Sequence, residues 1–218
     1  MTLNATRVGI WGGSGSGKST RAKELTARCR RIVAFDPMEE YAAQGFRQFS
    51  TLPSLGHHLA GSFGNFRACY VPPAGQEVEA LHSLSNMLRD MQNGYKAGLH
   101  RAQLHFLVEE MNTCFPTAMK AEFSGFANLC SRGRHFGINL YGISQRPNEV
   151  HTRFRGNLEH VYAFRLIDHV DLKSLAGALG SSYADKIRLL NPHEYYYRGL
   201  DGRIVKGVNL LGSPANDN

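Results

Sequence analysis

Short apolar runs alternate with longer stretches in which apolar residues return every three or four positions, and the rhythm holds along most of the chain. "RVGIW", "RIVAFD", "FRACYV", "LHFLV", "INLYGIS" and "HVYAFRL" have the length of buried strands. Runs that are apolar on both faces belong to a sheet covered on both sides. With helices between them, they predict an α/β fold: a mostly parallel sheet flanked by helices. Lys18 to about Arg31 reads as a helix. Val78, Leu81, Leu84, Leu88, Met91 and Tyr95 mark one apolar stripe of a second helix, packed on the sheet. "TAMKAEFSGFANLCSRGRHFG" reads as a helix closed by Gly137, and "DLKSLAGAL" and "SYADKIRLL" as short helices. "HEYYYRGLDGRIVKG" holds two strand-like runs around a Leu-Asp-Gly turn, which predicts a C-terminal hairpin. "GSFGNF" reads as a loop, and the pair His57 and His58 as surface or loop.

Length and composition narrow the picture further. At 218 residues, with no repeat and no linker rich in Pro, Gly or Ser, residues 1–212 are expected to form one domain and 213–218 a frayed end. A hydrophobic content of 42% and a charged content of 20% describe an ordinary globular protein. The formal net charge of +7 attracts polyanions but does not by itself name one. Cys29, Cys69, Cys114 and Cys130 form no CxxC pair and read as small buried hydrophobes in a reducing compartment. No apolar run has the length of a membrane span, and "MTLNATR" lacks the core of a signal peptide. A cytoplasmic protein without stable membrane insertion is the expectation.

The strongest chemical signal is "GGSGSGKST". Gly12, Gly13, Ser14, Gly15, Ser16, Gly17, Lys18 and Ser19 fit G-x-x-x-x-G-K-[ST] in full, with Thr20 following, between a predicted strand and a predicted helix. The glycines let the backbone curl so that its N–H groups face phosphate oxygens, and the helix N-terminus adds its dipole. Lys18 would bridge the terminal phosphates, and the Ser19 hydroxyl would ligate magnesium. The bland alternative is a flexible turn before a helix.

A bound nucleotide is hydrolysed only if something holds the metal and something positions water. "LHFLVEEMN" runs an apolar strand into two carboxylates, at the end of the strand where open α/β sheets place their sites. Glu109 would contact the magnesium shell, and Glu110 would orient or deprotonate water. A solvated strand end carrying two charges is the dull reading. An aspartate is the commoner residue at the position of Glu109, so the division of labour between the two acids stays open. "INLYGISQRP" is the next strand, and Gln145 at its end could sense the γ-phosphate or the water. Otherwise it is a strand-end residue at a proline turn.

Together "GGSGSGKST", "AFDPMEEY" with Asp36, Glu40 and Tyr41, "LVEE", "SRGRHFGINLYGISQRP" and the ending around "YYYRGLDGRIVKG" resemble the HerA/FtsK superfamily of P-loop ATPases, ring-forming motors that pump DNA. The resemblance spans most of the chain. It implies an additional-strand ATPase core using ATP and Mg2+, a homo-oligomeric ring that is usually a hexamer, and a catalytic glutamate at Glu110. It also implies an arginine reaching the neighbour's nucleotide, at Arg134 or Arg132, with Arg155 a weaker candidate. The alternative for "SRGR" is a helix C-terminus supplied with favourable cations. A compact chain of this length most resembles the genome-packaging ATPases of tailless, membrane-containing phages, which implies double-stranded DNA and a portal or capsid vertex as partners. The basic residues from Arg132 to Arg165, with little opposing acid, are expected to track DNA phosphates. Two readings from other classes compete with a translocase: a P-loop kinase-like phosphotransferase, and a nucleotide-gated interaction module that scarcely turns ATP over.

Overall fold

The computed structural model describes residues 5–210. Its strands are β1 (Arg7–Trp11), β2 (Arg31–Phe35), β3 (Arg47–Phe49), β4 (Phe66–Tyr70), β5 (Leu104–Val108), β6 (Ile138–Ser144), β7 (His160–Phe164), β8 (Glu194–Arg198) and β9 (Ile204–Val208). They form one nine-stranded sheet in the order β3-β4-β2-β5-β6-β1-β7-β8-β9. All pairs from β3 to β7 are parallel, and the C-terminal hairpin joins β7 antiparallel. Parallel pairing explains the apolar runs: β1, β2 and β6 are buried at every position because helices cover both faces.

The longer helices are α1 (Lys18–Thr26), α2 (Leu52–Gly61), α3 (Glu77–Met91), α4 (Gly125–Arg132) and α5 (His169–Leu179). Leu81, Leu84 and Leu88 of α3 are buried against the sheet, a contribution of roughly 1.5–3 kcal/mol each. Tyr95, the last member of that stripe, falls in the separate short helix Asn93–Lys96.

Three expectations need correction. The segment from Thr117 to Gly137 is not one helix. Its start is extended, because Pro116 bridges Val150 and the Thr117 N–H donates to the Glu149 carbonyl. Helix α4 begins only at Gly125, where a β-carbon would lie 2.4 Å from the His82 carbonyl oxygen of α3. His57 and His58 lie on α2 rather than in a loop, and the His58 ring stacks on Phe49 at 5.1 Å. Helix α1 ends at Thr26 rather than near Arg31, because Arg31 already opens β2. Edge strand β3, three largely exposed residues, is too short to leave a period in the sequence. The frayed end at 213–218 lies outside the described residues.

No helix among the described residues is long and apolar enough to cross a membrane. Cys69, Cys114 and Cys130 are buried in the core and unpaired.

Candidate nucleotide site

Register places the ends of the central strands side by side. Trp11 pairs with Ser144 and Val108 with Gly142, so Gly12, Glu109 and Gln145 leave β1, β5 and β6 at one edge of the sheet. The loop after β1 is braced on its strand side: the Gly12 N–H reaches the Ser144 carbonyl at 3.4 Å, and the Gly13 N–H donates to the Arg165 carbonyl at 2.9 Å. A β-carbon on Gly12 would come within 2.6 Å of both Ser16 Oγ and Phe164 Cβ, so only glycine lets the loop close this tightly. Gly17, with φ +105°, turns the chain into α1 in a conformation that side chains disfavour.

The loop is equipped for anions. Lys18 is 8% exposed, and its Nζ donates to the Gly13 carbonyl at 2.8 Å, curled over the loop. Burial holds its pKa below the usual lysine range, against the pull of Glu109, Glu110 and Glu40. Ser16 Oγ is buried with no hydrogen-bond partner, an orphan that a phosphate oxygen would satisfy. A cavity of about 400 Å³ opens beside Gly13 to Ser16, lined also by Gln145, Arg146, Arg165, Leu166, Asp168 and Pro192. That volume suits a nucleotide-sized ligand. Lys18, Glu109 and Glu110 do not line it, so the cavity marks the β7 side of the loop and the acids the β5 side.

The two acids have different surroundings. Glu109 is 6% exposed and accepts a hydrogen bond from the Tyr41 hydroxyl at 2.7 Å. The "DPMEEY" segment builds that contact: fully buried Asp36 accepts the N–H groups of Glu40 at 3.0 Å and Tyr41 at 2.8 Å, fixing the turn that delivers Tyr41. Burial pushes the Glu109 carboxyl up to about 7, with the Tyr41 hydrogen bond working the other way. Glu110 is half-buried and left-handed, with φ 46° and ψ 50°, where a non-glycine residue costs about 1–3 kcal/mol. Its Oε1 accepts from Gln145 Nε2 at 3.2 Å. The chain can take this corner because the short helix Met111–Cys114 lies directly against β6. A β-carbon on Gly142 would sit 2.0 Å from Met111 Sδ.

Glu109 carries a pH prediction for the protein free of nucleotide and metal. Its folded pKa of about 7 lies above the ordinary 4.5, so the native state holds the extra proton. The stability this provides is full below about pH 4.5 and is lost as pH rises through 7. The loss is about 3 kcal/mol, from about 1.4 kcal/mol per unit. Urea denaturation should therefore show Glu109→Gln gaining on the wild type between pH 5 and pH 8. A difference that stays constant over that range would refute it.

The arginines are not gathered. Arg132 ends α4, and Arg134 lies in the following turn; both are exposed at the start of β6. The seven residues of β6, at about 3.3 Å each, place them about 23 Å from the site of their own chain. Arg155 is committed inside the fold, donating to the Val150 carbonyl at 2.8 Å and to Ser174 Oγ. Arg146, across the cavity, is ion-paired with Asp171 at 2.9 Å and Glu149 at 3.3 Å. The basic run from Arg132 to Arg165 is thus split between the two ends of the central strands β6 and β7.

Among the described residues, no cluster of three or more His, Cys, Asp or Glu side chains could hold a metal ion alone. A magnesium ion, which takes most of its oxygens from nucleotide and water, would draw its protein oxygens here from Ser19 in the first turn of α1 and Glu109 just after β5. Sequence reasoning gave no role to His193 or Asn209 of the hairpin, yet the His193 N–H donates to the Ser16 carbonyl at 2.9 Å and Asn209 Nδ2 to the Gly17 carbonyl at 2.8 Å. They lie more than 170 residues from the loop, and no local pattern links them to it.

Strand order, phosphate loop and hairpin together define the P-loop NTPase fold. The genome-packaging NTPase B204 of Sulfolobus turreted icosahedral virus 2, in complex with AMPPCP, superposes with a TM-score of 0.76 at 14% identity, covering 96% of this chain and 100% of that one. The DNA-packaging ATPase B204 of Sulfolobus turreted icosahedral virus gives 0.68 at 16%, covering 95% and 100%. VirB4 of Thermoanaerobacter pseudethanolicus gives 0.61 at 12%, covering 95% and 90%. No protein-family model and no curated protein sequence matches the chain.

Proposed function

We propose that this chain is an ATP-hydrolysing translocase of double-stranded DNA, acting as a homo-oligomeric ring, with a hexamer favoured, in the loading of a viral genome. The observation that carries the reading is the Gln145–Glu110 pair, held at 3.2 Å beside the loop that presents Lys18. That pair is suited to orienting a water and accepting its proton, while Gln145 registers the γ-phosphate. Ser19 and Glu109 would hold magnesium, which neutralises charge on the transferring phosphoryl group. Tyr41 occupies one Glu109 oxygen, so Glu109 acts through its other oxygen or a bound water, and Glu110 is left as the base. The viral packaging enzymes with the same fold support this use of the site.

Arg134, or Arg132, is too distant to serve its own nucleotide and exposed enough to serve a neighbour's, so hydrolysis would depend on assembly. Support for a polyanion partner comes from topology. Arg28 and Arg30 precede β2, and Arg101 precedes β5. All three are exposed at the sheet edge that also carries Arg132 and Arg134.

ATPase assays with duplex DNA across a salt titration test the reading. Hydrolysis should rise with DNA of any sequence, and the stimulation should fade as salt increases. Arg134→Ala should lose about 10³-fold in turnover while still binding ATP. Absence of DNA stimulation at every salt concentration would remove the translocase.

A further inference from the structure

Two backbone carbonyls of the phosphate loop are held from the far end of the chain. The His193 N–H donates to the Ser16 carbonyl at 2.9 Å, and Asn209 Nδ2 donates to the Gly17 carbonyl at 2.8 Å. The hairpin β8–β9 lies between these residues, and its ends are tied by the Asn209 N–H donating to the His193 carbonyl at 3.0 Å. His193 holds a left-handed φ of 65°, and Asn209 is 1% exposed. A β-carbon on Gly17 would approach Asn209 Nδ2 to 2.7 Å and His193 Nδ1 to 2.8 Å. Hairpin and loop are therefore packed in direct contact.

The consequence follows from peptide planarity. Fixing a carbonyl fixes the N–H on the other side of the same peptide, because the six atoms share a plane. The Ser16 carbonyl sets the Gly17 N–H, and the Gly17 carbonyl sets the Lys18 N–H. These N–H groups of the loop and the helix start are the ones a phosphate chain would meet. The Gly17 carbonyl also accepts the Arg21 N–H at 3.0 Å, so Asn209 is its second donor, added from outside the helix. Gly17 has no side chain to restrict its own rotation, so the hairpin adds its restriction to that of the helical bond.

We propose that Asn209, with the main chain of His193, is a positioning residue for phosphate binding: the C-terminal hairpin pre-orients the Gly17 and Lys18 N–H groups before nucleotide arrives. The inference rests on the loop being a nucleotide site, as proposed above, but its first test needs no nucleotide. In the full-length protein, Asn209→Ala should speed hydrogen exchange at the His193 and Arg21 amides, whose acceptors are the Ser16 and Gly17 carbonyls, by about fivefold or more, with little change in thermal midpoint. Asn209→Leu keeps the volume, removes the donor and replaces an Oδ1 that is buried without a partner, so it guards against simple loss of folding. It should behave like Asn209→Ala.

In steady-state assays both variants should raise KM for ATP about tenfold and change kcat less than twofold, because the lost contact serves ground state and transition state alike. A merely structural role would lower the active fraction, and hence kcat, with KM unmoved. Wild-type exchange at both amides in both variants would overturn the brace. Faster exchange with unchanged KM would overturn its role in phosphate binding. If the wild type binds no ATP, the nucleotide reading fails, and the exchange experiment still decides the brace.

Discussion

Lys18→Ala is expected to weaken ATP binding by about 10²–10³-fold and to reduce turnover to background. The Lys18 ammonium is buried against the loop it serves, with Nζ 2.8 Å from the Gly13 carbonyl. From there it can swing onto the terminal phosphates without leaving the cradle. Charge-assisted hydrogen bonds in such a place contribute about 1.5–3 kcal/mol each, and two of them account for the expected loss. Folding should survive the change. Removing the ammonium deprives Glu109 and Glu110 of a favourable cation, but it also removes a charge that burial disfavours. Titration calorimetry with ATP and magnesium, alongside phosphate release, measures both effects. A Lys18→Ala protein that hydrolyses at the wild-type rate would show that phosphate is held elsewhere.

Glu110→Gln should separate binding from chemistry. Turnover should drop by about 10²–10⁴-fold, the usual contribution of a positioned general base, while ATP affinity stays within a few-fold of wild type. The geometry is well suited to this test. Gln and Glu have the same length, and an amide oxygen at position 110 can still accept from Gln145 Nε2 across the 3.2 Å contact. The left-handed turn at φ 46° is imposed by the packing of Met111 on Gly142, which the substitution leaves in place. The variant should retain unhydrolysed ATP in single-turnover filter binding. Full activity would instead assign the base to Glu109, whose burial pushes its carboxyl up to about 7 and so keeps it partly protonated at neutral pH.

The two acids show where sequence reading stops. That both follow a buried strand is visible in "LHFLVEE", because apolar residues leading into charge mark a strand end. Which acid faces the reacting groups is not visible, since neighbours on a strand point to opposite sides and the reversal at Glu110 depends on its backbone angle. Tyr41 was in view as part of a motif. Its hydroxyl on Glu109, at 2.7 Å, required Asp36 to fold the intervening turn. The arginines that form one basic run in the sequence are parted for a related reason: nearness in sequence becomes opposite ends of a strand once β6 lies between Arg134 and Arg146.

The chain by itself determined its class. Apolar strands, a complete phosphate loop, paired acids and a hairpin turn are local signals, each set by propensity or chemistry within about ten residues. Tertiary structure alone decided what surrounds the loop. Asn209 beneath Gly17, Gln145 on Glu110 and Tyr41 on Glu109 are contacts between segments 35 to 192 residues apart. Such contacts exist because parallel strands bring distant chain positions to one edge, and no periodicity along the sequence encodes which positions meet there.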